Sequence, residues 1–272
     1  MRRGLVDSHC HLDYLERQGD LPGVLSRARG AGIGTMLTIG TKLREFPAVL
    51  AIAERNDDVV CSVGIHPHEA GGEQAGIARL VELARHPKVV AIGETGLDYF
   101  YDKSPREAQQ ASFAIHLAAA REAGLPVIVH TRDADDDTAR MLDEAVAQGR
   151  AEQGAVTGVL HCFTSSPELA RHALGLGFYI SISGIVTFRN ADTLRETVRS
   201  IPLERLLVET DAPFLAPVPV RGKTCEPAFV AHTARFVAGL KDVSPEALAE
   251  ATTANFFALF PKAATAREAA AA

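Results

Sequence analysis

Several features that would settle a protein's class at a glance are missing from this 272-residue sequence. There is no basic excess. Lys and Arg number 28 against 34 Asp and Glu, a formal charge of −6. Proteins that coat nucleic acid by bulk charge present a basic face, so that class is excluded, whereas an enzyme that meets a few phosphates locally is not. There is no disulfide framework either. The four cysteines, Cys10, Cys61, Cys162 and Cys225, form no CxxC pair and read as scattered reduced thiols. No apolar run approaches the roughly 20 residues of a membrane helix; the best one, from Phe178 to Phe188, is broken by Ser and Gly. After Met1-Arg2-Arg3 the apolar stretch stops at Asp7, which gives no signal-peptide core. No linker, charge run or composition shift divides the chain. The expectation is a soluble cytoplasmic protein of one domain, residues 1–261, followed by an Ala-rich tail, 262–272, that frays.

What is present is a regular alternation. Hydrophobic residues are 47% and charged residues 23%, an ordinary globular balance. Short runs rich in Val, Ile and Leu recur at Leu5–Ser8, Thr35–Ile39, Val59–Gly64, Val89–Gly93, Val127–His130, Val156–Leu160, Phe178–Ile182 and Leu206–Glu209. Each is almost continuously apolar, as in a parallel strand covered on both faces. Helical patterns lie between them. Ser104-Pro105-Arg106-Glu107 reads as an N-cap, a first-turn Pro and a capping-box Glu, with Ala111, Ile115 and Ala118 next at helical spacing. Ser166-Pro167-Glu168 and Ser244-Pro245-Glu246 offer the same start. Eight strand–helix units in about 260 residues predict an α/β chain folded as a single-domain (β/α)8 TIM barrel. On strand count alone a doubly wound open sheet remains the rival. One connection breaks the pattern: Ala212 to Pro227, with Pro213, Pro217, Pro219 and Pro227, is too Pro-rich for a helix and long enough to be a functional loop.

The chemistry lies at the ends of the strands. The first ends in His9-Cys10-His11, where residues i and i+2 share a face and both imidazoles can meet one ion while Cys10 turns away. The fourth runs into Glu94, the fifth ends in His130, the sixth in His161 and the eighth in Glu209-Thr210-Asp211. In a barrel these ends meet on one face, where active sites are built. Four His, one Glu and one Asp all bind divalent metals, and six ligands exceed what one tetrahedral ion needs, so two ions are the natural count. Four imidazoles favour zinc ahead of Mn, Fe, Ni or Mg.

The chain resembles the TatD-type metal-dependent deoxyribonucleases of the amidohydrolase superfamily. The resemblance runs from Val6-Asp7-Ser8-His9-Cys10-His11 through Gly64-Ile65-His66-Pro67-His68, the Glu94–Tyr99 run, Pro126–His130, His161-Cys162-Phe163 and Glu209–Pro213 to Asn255-Phe256. It implies that His9, His11 and Asp211 hold one metal, that His130 and His161 hold the other, and that Glu94 bridges them. It further implies that His66 contacts a phosphate, that Arg221 and Lys223 form a basic loop, and that Asp98 and Glu209 orient ligands or bind an additional ion. Where the family pattern has Asn-Glu-Pro, this chain has Cys225-Glu226-Pro227, which removes a polar contact from the loop.

The function this implies is hydrolysis of DNA phosphodiester bonds, exonucleolytic on single-stranded ends. A hydroxide shared by the two ions attacks phosphorus, Asp211 takes the water's proton, and Phe163 either stacks on a terminal base or packs the barrel mouth. The same centre also suits a small ester, lactone, amide or aminoacyl bond, since such a hydroxide attacks carbonyls as readily. The expected partners are DNA or a small phosphoester as substrate, with no membrane and no obligate protein partner.

Overall fold

The computed structural model describes residues 4–151 and 154–270. Eight strands form one sheet in chain order: β1 Leu5–Cys10, β2 Ile33–Thr38, β3 Val59–Val63, β4 Val89–Asp98, β5 Val127–Arg132, β6 Gly158–Leu160, β7 Tyr179–Ile182 and β8 Leu206–Val208. Every neighbouring pair from β1–β2 to β7–β8 is parallel. The sheet curls until β8 meets β1. Along that seam Ser8 Oγ donates to the Val208 carbonyl at 3.0 Å. Just beyond the end of β8, Asp211 N donates to His9 O at 2.9 Å and His11 N donates to Ala212 O at 2.7 Å. The barrel reading therefore holds over the open-sheet rival. Two of the bonds that close the seam involve the metal-ligand candidates His9, His11 and Asp211, so the seam and the site share residues.

Strand periodicity explains the core. One buried cluster takes a residue from every strand, among them Val6, Leu37, Val60, Val90, Ile128 and Val159, and can only be the barrel interior. Their sequence neighbours, such as Val59, Cys61, Val127 and Val129, belong to the larger cluster beneath the helices. Two-residue alternation of this kind is what a strand buried on both faces requires.

Phe256, on the C-terminal helix Pro245–Leu259, and Phe260, at the junction with the next helix Pro261–Ala270, join the interior cluster. The helices' anchors all lie at the N-terminal ends of strands. Thr253 Oγ1 donates to Gly4 O, Asn255 Nδ2 to Leu206 O, and Lys262 Nζ to the carbonyls of Ala84 and His86. These helices plug the bottom of the barrel. The tail expected to fray is thus helical to Ala270, because Ala263 and Ala266 are small enough to sit in the interior cluster while Lys262 Nζ ties the helix to the Ala84 and His86 carbonyls. Its last two residues, Ala271 and Ala272, lie outside the described residues.

Two local expectations are corrected. Ser166 and Ser244 do cap their helices, accepting from Leu169 N and Ala247 N. Ser104 does not: its hydroxyl donates to His68 O and accepts from Gly71 N, and the helix begins at Arg106 without a side-chain cap. That helix turns inward a face centred beside the predicted one, with Ile115 still packed partly buried against the core. Phe113, His116, Leu117 and Ala120 are buried while Ala111 is exposed, since the larger apolar side chains claim the core.

Candidate metal centre

The C-terminal ends of the strands open into a cavity of about 490 Å³. Glu94 lies at its centre, 2% exposed. Gly93 and Gly96 bracket it at φ +132° and +135°, and a Cβ at Gly96 would lie 2.0 Å from His130 O. Only glycine lets β4 run this close to β5. Glu94 Oε1 then faces three imidazoles: His161 Nε2 at 2.7 Å, His130 Nδ1 at 3.2 Å and His66 Nε2 at 3.3 Å. Its other oxygen lies 3.4 Å from His9 Nε2. On the opposite side Asp211 Oδ1 lies 3.2 Å from His11 Nε2 and 3.7 Å from His9 Nε2. Asp211 adopts a left-handed backbone at φ 57°, which Asp tolerates better than most residues. The His9 and His161 rings stack at 3.8 Å.

The six residues predicted at five strand ends are thus brought together. Potential ligand atoms group as His9, His11 and Asp211; as His9, Glu94 and His161; and as His66, Glu94 and His130, each group within 4.8 Å. Buried atoms without hydrogen-bond partners test whether the pocket suits a cation. Among the described residues these include both ring nitrogens of His9, His11 Nδ1 and Glu94 Oε2. An unsatisfied buried polar atom costs about 1–3 kcal/mol, and four at one spot are explained by a ligand that accepts lone pairs. The donor set, imidazole and carboxylate with no thiolate, fits a divalent metal.

Electrostatics here set burial against contact. Burial opposes ionisation of Glu94, but His161, His66 and His9 overcome it and hold the carboxyl well below its ordinary range. Burial likewise disfavours imidazolium at His161, yet Glu94 and Glu209 outweigh it and raise that pKa well above 6.5. His66 goes the other way: burial pushes it down to about 4. Its Nδ1 accepts from the His68 backbone N–H at 3.1 Å, so its proton sits on Nε2, toward Glu94. His66 lines the cavity as predicted, but as a neutral donor rather than a cation.

The residues around the ligands are equally ordered. Asp98 Oδ2 lies 3.1 Å from His130 Nε2 and 2.9 Å from His68 Nε2, while its Oδ1 accepts from the backbones of Phe100 and Tyr101. Burial opposes this carboxylate, but its histidine hydrogen bonds hold it far below the usual range. Glu209 Oε1 lies 3.3 Å from His161 Nδ1.

One predicted substrate contact is corrected, and two lie outside the cavity. Phe163 is 1% exposed inside the helix-side core and presents no face to a base, because the chain after β6 turns it inward. Arg221 and Lys223 do not line the cavity. The Pro-rich loop carries them away, and Arg221 packs 3.9 Å over the Phe188 ring and donates to Ala216 O. Cys225, in the place of a polar residue, is fully buried. The cavity's cations are instead Lys42, Lys103 and Arg132, none singled out from sequence. Arg132 carried a signal, since it stands two residues after His130 and so on the same face of β5. His116 also went unnoticed. Its Nε2 accepts from Ile65 N at 3.0 Å and fixes the segment that carries His66.

A closed barrel with a carboxylate and imidazole cluster at its C-terminal mouth defines a class, the barrel hydrolases that work through divalent metal. Comparison with known proteins narrows it. Residues 6–261 match the family described as TatD related DNase. The uncharacterized metal-dependent hydrolase YcfH of Escherichia coli K12 is 47% identical over 259 residues, covering 94% of this chain and 95% of that protein. The 3'-5' ssDNA/RNA exonuclease TatD of Klebsiella pneumoniae is 37% identical, with 94% and 97% covered. Among solved structures, the TatD homologue YJJV of Escherichia coli K12 superposes with a TM-score of 0.85 at 31% identity, over 96% of this chain and 99% of that one. The chain belongs to the TatD family of metal-dependent hydrolases.

Proposed function

We propose that this hydrolase cleaves phosphodiester bonds of DNA, working exonucleolytically on single-stranded ends. The observation that carries the reading is the company Glu94 keeps. The cavity that gathers the ligand cluster also gathers Lys42, Lys103 and Arg132, and three cations around a carboxylate-rich centre suit a phosphate better than a neutral carbonyl. The Klebsiella relative's description as an ssDNA/RNA exonuclease agrees.

In this reading His9, His11 and Asp211 would hold one divalent ion and His130 and His161 a second, with Glu94 a ligand available to both. Zinc is the first choice for so many imidazoles. When bound, the ions supply an acidified water and polarise the phosphoryl oxygens. The chain's own residues do the rest. Asp211, kept ionised by its His11 hydrogen bond against the cost of burial, orients the attacking water and accepts its proton. His66 Nε2–H donates to a phosphoryl oxygen. Asp98 and Glu209 hold His130 and His161 from behind, fixing ring orientation. Lys103, and Lys42 from its pairing with Glu45 and Glu69, face the flanking backbone. Residues 1–261 act as the hydrolase unit. Among the described residues no helix is long and apolar enough to cross a membrane. Four free thiols suit a reducing cytoplasm.

The test is turnover by the metal-reconstituted protein of labelled single-stranded DNA, duplex DNA, RNA and a panel of carboxyl esters. Single-stranded DNA should be cleaved fastest, and Asp211→Asn should remove at least about 100-fold of kcat/KM. Efficient ester turnover with intact oligonucleotide, or unchanged nuclease activity in Asp211→Asn, overturns the assignment.

A further inference from the structure

Large exposed apolar side chains are few and unevenly placed. Among the described residues they are Phe100, Tyr101, Phe214, Val218 and Phe236. Val218 and Phe236 line a separate hollow. The other three gather around the metal-centre cavity. Tyr101, 52% exposed, lines it from the turn after β4, and Phe214, 50% exposed, lines it from the loop after β8. Phe100, 55% exposed, stands beside Tyr101. Leaving such rings in water forgoes the burial free energy of a large apolar surface, and three at one mouth mark a contact surface.

Each ring is held by the site itself. The turn carrying Phe100 and Tyr101 is fixed by two backbone donors to Asp98 Oδ1, the carboxylate whose other oxygen meets His130. The Arg132 guanidinium lies 4.1 Å from the Phe100 centroid and 4.9 Å from that of Tyr101. Phe214 N donates to Asp211 O at 2.9 Å. Phe214 meets the His11 and Tyr14 rings near-perpendicular, at 67° and 84°, so neither stacks on it. Tyr14, by contrast, already has the His11 ring stacked on one face, at 17°.

We propose that Tyr101, backed by Phe100 and Arg132, and Phe214 across the cavity are two nucleobase-stacking platforms that receive the unpaired bases on either side of the bond to be cut. The inference rests on the nuclease reading and adds to it the groups that recognise a single strand. Any base offers a π-face, so the platforms are sequence-tolerant, but a base must leave its duplex to reach them. The hollow on the Phe100 side has the opposite character. Asp133, Asp135, Asp136 and Asp137 line it and repel a phosphate backbone, which leaves the strand's phosphates to Lys42 and Lys103.

The test uses the full-length, metal-loaded protein and a single-stranded octanucleotide with phosphorothioate linkages, which is bound but not consumed. 2-Aminopurine is placed at the terminal position in one version and at the adjacent position in another. Stacking quenches its fluorescence. The wild type should quench both probes. Tyr101→Ala should abolish quenching of one and Phe214→Ala of the other, each weakening binding about 10- to 100-fold, while Tyr101→Phe retains both properties. Circular dichroism and metal content of each variant confirm folding. Absence of quenching in the wild type, or wild-type binding and quenching by both alanine variants, overturns the proposal. Cleavage of an unmodified strand is scored separately. Cleavage without quenching removes the platforms and keeps the nuclease; quenching without cleavage removes the nuclease and keeps the platforms.

Discussion

Glu94 Oε1 lies within 3.3 Å of imidazoles from three different strand ends, and its other oxygen reaches toward a fourth. A carboxylate so placed must be ionised and must be crowded by donors, which is why Gly93 and Gly96 flank it. The next most connected carboxylate is Asp98. It joins the ligand candidate His130 to the turn that carries Tyr101. Asp98→Asn keeps the shape but loses the charge that orients the imidazole. Metal affinity should fall about 10- to 100-fold, read by titration with a fluorescent chelator as competitor, with the folded far-UV spectrum unchanged. An unchanged affinity would place Asp98 outside the ligand set's support. At this scale the sequence was most legible for residue types that do only a few things. His9-x-His11 on an extended strand, and Glu94, His130, His161 and Asp211 at strand ends, could be named without coordinates. Phe163, Arg221 and Lys223 could not be placed, because whether an aromatic or a cation faces a cavity depends on the path of its loop.

Elements carry the stability that the site draws upon. The helix Arg106–Ala123 shows how. His116 is fully buried in it, its Nδ1 2.7 Å from Ser112 O and its Nε2 accepting from Ile65 N. Burial lowers its pKa from 6.5 to about 4. The folded state therefore keeps His116 neutral where the unfolded chain would protonate. Its contribution is complete above about pH 6.5 and is lost as pH falls toward 4, by about 3 kcal/mol in all. His116→Gln removes the titration. Urea midpoints at pH 7, 5.5 and 4 should converge for the two proteins as pH falls, and parallel pH profiles would refute this. At the bottom of the barrel, Phe260→Ala leaves a void where the interior cluster meets the C-terminal helices and should cost about 3–5 kcal/mol, measured by chemical denaturation. A loss under about 1 kcal/mol would show that the C-terminal helices do not close the core. Sequence periodicity predicted that helix and strand alternate. It placed Ala111 of Arg106–Ala123 inward where that residue is exposed, and it read an Ala-rich tail as frayed where small side chains are what the interior can accept.

The whole molecule carries a formal charge of −6, and part of that charge is the site itself: Glu94, Asp98, Glu209 and Asp211 lie in or beside the ligand cluster. Two bound divalent ions would raise the formal charge by four, to −2. The metal-free protein should accordingly bind DNA weakly, and metal should strengthen binding. Fluorescence anisotropy with a single-stranded oligonucleotide, with and without chelator, checks this. Tight binding by the chelated protein, with the steep salt dependence of many phosphate contacts, would contradict it.

The sequence by itself determined the number of strand–helix units, the ligand types and the strand ends that carry them, because side-chain alternation and metal chemistry are properties of residue type and spacing. Tertiary structure decided what depends on distance between segments far apart in the chain. It closed β8 on β1 through His9, His11, Asp211 and Ala212, and it gave the cavity Lys42, Lys103 and Arg132 as its cations. It buried Phe163 and left Tyr101 and Phe214 open. The physical reason is that burial and orientation are set by neighbours two hundred or more residues away, as between His11 and Asp211, and a local pattern carries no record of them.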